Sequence, residues 1–81
     1  NWRRARTRSL IQLGGLIEKA GLLDEFGIEL GADLQKDEDM KKPVSALLGA
    51  LLEVKDMHKQ EPAAIDLWAL KGHKHLGIKG E

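Results

Sequence analysis

One stretch constrains this chain more than any other: Leu10 to Leu22, LIQLGGLIEKAGL, its longest apolar-periodic run. On a helix, Leu10, Leu13, Ile17 and Ala20 fall on one stripe, with Leu16 beside it. Gly21 follows Lys19 and Ala20, where a helix commonly ends in a left-handed residue. Gly14 and Gly15 each cost about 1 kcal/mol relative to Ala in a helix interior. A helix that keeps both predicts close approach of another backbone. The stretch therefore reads as the central packing helix, crossed tightly by a neighbour.

The 81 residues set the scale of what this helix can pack against. A chain this short is one domain, and it buries only about 60–65% of its unfolded surface. It has no cysteine, which excludes disulfides and thiolate metal sites. Stability must come from helix packing or from self-association. No apolar run approaches the ~18 residues that cross a membrane, and no signal-peptide pattern is present. Together with the absence of cysteine, this predicts a cytoplasmic protein. The chain begins at Asn1 rather than Met, and it is expected to be a piece of a longer one.

Upstream of the central run lie Arg3, Arg4, Arg6 and Arg8. Arginine is a good helix former, and no Gly or Pro intervenes, so the helix is expected to extend back to Trp2. On that longer helix Trp2, Arg6, Leu10, Leu13 and Ile17 align, while Arg4 and Arg8 point to the other side. A competing start is the Ser9-x-x-Gln12 capping box, which would leave the arginines in a mobile arm.

Downstream, Gly27 and Gly31 break the periodicity. A short helical turn is expected around Leu22–Phe26 and another near Ala32–Lys36, both tucking apolar residues under the first helix. Asp37-Glu38-Asp39 and Pro43 place the start of a second long helix between Asp39 and Pro43. It is expected to run to Met57 or His58. Val44, Leu47, Leu48, Leu51 and Leu52 give it a broad apolar face. Gly49, between Ala46 and Ala50, offers a small-residue surface to meet Gly14 and Gly15. A third helix is predicted from Pro62 to about Leu70, burying Ile65, Trp68 and Ala69 and stopped by Gly72. Period-2 strand patterns are absent. The expected fold is all-α: a small helical bundle of two long helices plus a shorter third, forming an oligomer. Residues 1–72 would form the helical domain and residues 73–81 a basic flexible tail.

Charge is segregated along the chain although its sum is zero. Residues 1–20 carry net +4, residues 21–40 net −6, and residues 71–81 net +2. Basic ends around an acidic middle suit an anionic partner, or head-to-tail pairing of Arg3–Arg8 with Asp37-Glu38-Asp39 of another copy. The candidate nucleic-acid contacts are Arg3, Arg4, Arg6 and Arg8, with Lys71, Lys74 and Lys79 adding to them. Each would meet phosphate without reading sequence. The candidate helix-packing or oligomer surface comprises Trp2, Leu13, Gly14, Gly15, Ile17, Gly49, Leu52 and Trp68.

Catalysis is not expected. The hydroxyls are Thr7, Ser9 and Ser45, and no histidine lies near them in sequence. The glycine-rich segment Gly72 to Lys79 lacks the Gly-Lys-Ser/Thr and the preceding strand of a phosphate loop. Asp33 to Asp39 lacks the glycine and the terminal glutamate of a calcium loop. His73 and His75 read as solvated tail residues, so neither a metal nor a cofactor is expected.

Arg6-Thr7-Arg8, followed by Ile11-Gln12-Leu13-Gly14-Gly15-Leu16-Ile17 and Lys19-Ala20-Gly21-Leu22, resembles the opening of the small TraD-type conjugal transfer proteins. These belong to Ti-plasmid-like systems and are unrelated to the F-type coupling ATPase of the same name. Asp33-Leu34-Gln35-Lys36-Asp37, Leu47 to Glu53, and Trp68 followed by Lys71-Gly72 are similar to later family segments. The resemblance covers most of residues 6–76. It implies a role in conjugative DNA transfer beside a relaxase, and it offers no catalytic residue. Two uses of the charge pattern remain open. One is a relaxosome accessory protein binding DNA non-specifically through its basic N-terminal helix. The other is an adaptor of the relaxase or transfer machinery without direct DNA contact.

Overall fold

The computed structural model describes residues 1–77. It contains four helices: α1 (Trp2–Lys19), α2 (Leu22–Phe26), α3 (Glu38–Gln60) and α4 (Ala64–Leu76). No strand occurs among the described residues, in keeping with the all-α reading. The chain divides into two compact units, Asn1–Leu48 and Gly49–Glu81. The boundary falls inside α3.

In the first unit, α1 is one continuous helix that includes the arginines. Asn1 starts it: its side-chain oxygen accepts from the Arg3 N–H at 2.8 Å, satisfying one of the helix's orphan donors. The competing start at Ser9 is not used. The helix ends at Lys19, and Gly21 adopts the left-handed conformation with φ 81°. α2 is a five-residue turn held between Gly21 and Gly27, the latter also left-handed at φ 76°. After it, the Ile28 N–H returns to the Leu23 carbonyl at 2.8 Å, which carries Ile28 inward.

The core of this unit is small. Ile28 is 7% exposed and Met40 3% exposed, and these are the buried apolar side chains among the described residues. The Glu29 N–H points at the Met40 sulfur at 3.5 Å, so the acidic connection folds back onto the start of α3. Ile17, Leu22, Leu23, Phe26, Pro43, Val44 and Leu47 are half-buried, and α2 packs on α1. The apolar residues after Gly21 are thus covered as expected, except Leu30 and Leu34, which face solvent.

Two expectations are corrected here. Ala32–Lys36 forms no helix. Instead the Asp33 carboxylate accepts from the Gln35 and Lys36 N–H groups, both at 3.0 Å, a side-chain turn that competes with helix. α3 begins at Glu38, ahead of the window from Asp39 to Pro43, because Asp37 caps it. The Asp37 carboxylate accepts from the Asp39 N–H at 2.9 Å, and its carbonyl from the Met40 N–H at 3.0 Å. Pro43 then lies inside the helix. Among the described residues, a Cβ placed on Gly14, Gly15 or Gly49 meets nothing within 4 Å.

In the second unit, α3 continues to Gln60, beyond the expected end at Met57 or His58. α4 follows after a turn at Glu61–Ala63. Ala50, His58, Ala64, Trp68 and Gly72 are half-buried. α4 passes through Gly72 and stops at Gly77, which is left-handed at φ 75°. The expected stop at Gly72 is overturned. Ile65, Trp68, Gly72 and Leu76 continue one helical stripe, and Lys74 brings positive charge to the C-terminal end of the dipole. His73–Leu76, expected to open a flexible tail, are therefore helical. The rest of that predicted tail, from Ile78 on, lies outside the described residues.

These placements set opposite signs for glycine substitutions. A G14A/G15A variant should melt at a higher temperature than the parent, gaining about 1 kcal/mol per site. G21A should melt lower, because alanine is strained at positive φ. Met40→Ala should cost about 2–5 kcal/mol. Thermal unfolding followed by circular dichroism at 222 nm (the helix band) checks all three signs.

Candidate nucleic-acid interface

α1 sorts its arginines by helical phase. Arg4 and Arg8 are four residues apart, so they share one side, about 6 Å from each other along the axis. Ile11 continues that side, and Arg3 and Thr7 flank it. In the structure Arg3, Arg4, Thr7, Arg8 and Ile11 line one shallow surface groove of about 420 Å³. Arg6 does not line it. It lies with Trp2, Leu10 and Leu13 on the apolar stripe, as the helical spacing predicts.

Electrostatics leaves the groove uncompensated. Among the described residues no carboxylate pairs with Arg3, Arg4, Arg6 or Arg8. α1 has no acidic residue in its first turn. Four cations thus lie within two turns of the positive end of the helix dipole, an arrangement an anion would relieve. A 6 Å length of duplex axis carries about three to four phosphate charges, enough to engage the groove's three guanidinium groups together. Thr7 adds a hydroxyl that can donate to a phosphate oxygen.

Lys71 and Lys74 are exposed on α4, in the second unit. They belong to a helix and not to a tail. Lys79 lies outside the described residues. Of the residues expected at a packing surface, Trp2, Leu13 and Leu52 are exposed, while Ile17 and Trp68 are half-buried.

Sequence reasoning passed over Thr7 and Ile11 in the groove, although their helical phase relative to Arg4 and Arg8 was available. It also passed over a second depression, of about 350 Å³, lined by Glu18, Leu23, Asp24, Ile28, Glu29 and Leu30. Its carboxylates come from α1, α2 and the connection after α2. Only the fold of that connection brings them together.

Among the described residues, no group of histidine and acidic side chains is placed to hold a metal. No helix there is long and apolar enough to cross a membrane.

Fold and surface together define a small all-α protein whose first helix separates a cationic face from an apolar one. The chain belongs to the TraD family of conjugal transfer proteins: the family model described as conjugal transfer protein TraD matches residues 1–77. No curated protein and no solved structure matches it. Family membership gives the chain a role in conjugal transfer.

Proposed function

We propose that this protein is a non-catalytic accessory factor of conjugative DNA transfer, acting in the cytoplasm at the relaxosome. It holds DNA through the basic face of α1, without reading base sequence. The observation that carries this reading is the groove of Arg3, Arg4, Thr7 and Arg8, whose guanidinium groups have no carboxylate partner among the described residues. Arginine on a rigid helix suits phosphate, because its planar fork can donate two parallel hydrogen bonds. The contacts go to the backbone of the nucleic acid, so they supply affinity and register but not specificity. Lys71 and Lys74 supply further cationic surface. The acidic residues between Asp24 and Asp39 repel a polyanion, which confines the contact to the basic face.

The test is DNA affinity by fluorescence anisotropy across a salt series. The parent is compared with R3A/R4A/R8A and with K41A/K42A/K55A, which removes the same charge away from the groove. The groove variant should lose most of its affinity, and its log–log salt slope should shrink by about 2.5–3 units. The lysine variant should keep a slope within about one unit of the parent's. If the parent fails to bind even at low salt, direct DNA contact is excluded. The adaptor reading, in which the charges dock the relaxase or another transfer protein, then takes its place. Equal slopes for the two variants would mean diffuse attraction and no defined groove.

A further inference from the structure

The N-terminal and middle parts of the α1 apolar stripe stand exposed. Leu10 is 50% exposed, Leu13 52% and Leu16 48%, with Trp2 at 72%. Three leucines at spacing three on one helix face form the core half of a helix–helix contact.

Charge decides which way a second copy lies. Residues 1–20 are net +4 and residues 21–40 net −6. A parallel pair would set Arg3–Arg8 against the same arginines of the other copy. An antiparallel pair sets them against the end of α1 and against α2, where the second depression gathers Glu18, Asp24 and Glu29 on apolar walls of Leu23, Ile28 and Leu30. None of those three carboxylates has an ion-pair partner among the described residues. The acids nearer Asp37 are already engaged: Asp33 and Asp37 accept backbone N–H groups, and Glu38 pairs with Lys41 at 2.7 Å. Arg3 and Glu18 lie on the same flank of the stripe, and in an antiparallel pair like flanks adjoin.

We propose that the protein is a homodimer in which two α1 helices pair antiparallel through Leu10, Leu13 and Leu16, each copy's Arg3 reaching the acidic depression of the other. A two-fold axis at Leu13 sets Leu10 of one copy against Leu16 of the second, a self-complementary contact that closes. Gly14 and Gly15 lie off this stripe and take no part. Arg4, Arg8 and Ile11 remain on the outer side of each helix, so the pairing leaves that part of the groove open and draws only Arg3 away from it.

Mass by sedimentation equilibrium tests the dimer, with helix content followed by circular dichroism. The parent should sediment as a dimer, and L13E should weaken association at least about tenfold while keeping its helix signal. A parent that stays monomeric into the high micromolar range overturns the proposal. So does a helical L13E that dimerises as tightly as the parent. The chain has no native cysteine, so oxidative cross-linking gives a second readout that stands even if L13E unfolds. L10C/L16C should form a covalent dimer readily, and L10C alone should not. Equally efficient cross-linking of L10C alone would indicate a parallel pair and overturn the antiparallel arrangement.

Discussion

Burial of Ile28 and Met40 is the constraint on which the first unit depends. Each is delivered by a local device. Ile28 is turned inward by the left-handed Gly27 and the return of its N–H to Leu23. Met40 is presented by the Asp37 cap, which fixes where α3 begins. The Glu29 N–H against the Met40 sulfur joins the two. With so few buried side chains, no wide hydrophobic core holds the connection between α2 and α3. Its shape comes from carboxylates bonded to backbone N–H groups at Asp33 and Asp37, which is why a stretch rich in acids folds and does not remain a solvated loop.

The second organising fact is the division of α1 into two faces. Helical phase alone separates Arg4 and Arg8 from Leu10, Leu13 and Leu16. Both faces are exposed for want of a neighbour in the first unit, and they differ in what can satisfy them. The basic face stays in water at little cost and gains from a polyanion. The apolar face loses free energy in proportion to the area left in water. One helix therefore carries a tolerable charge excess and a costly apolar excess back to back.

Much of this was legible in the sequence, and the omissions share a cause. The long first helix, its stop before Gly21, the turn at Leu22–Phe26 and the all-α class follow from periodicity and glycine placement. So does the phase that sets Arg6 apart from Arg4 and Arg8. The misread boundaries are places where a side chain acted on the backbone. Asp33 held Ala32–Lys36 out of a helix, and Asp37 moved the start of α3 upstream of the window set by Pro43. Gly72 was read as a stop on propensity, yet its stripe with Trp68 and Leu76 carries α4 onward to Gly77. Gly14 and Gly15 were read as contact points, because small residues in helices often are; among the described residues a Cβ on either meets nothing within 4 Å. The acidic depression was illegible for a different reason. Its lining is drawn from three successive segments, and only folding makes them neighbours.

The first turns of α1 have a consequence for folding itself. Asn1 holds the helix end with one side-chain bond, while four like charges crowd the positive pole of the same helix. Like charges at that pole oppose the helix dipole and weaken the first turns. Any anion that settles among the guanidinium groups shifts this local equilibrium toward the folded turn. By thermodynamic reciprocity, whatever firms that turn also tightens the hold on the anion. The proposed recognition at the N-terminus of α1 and the stability of that helix end would be a single coupled equilibrium.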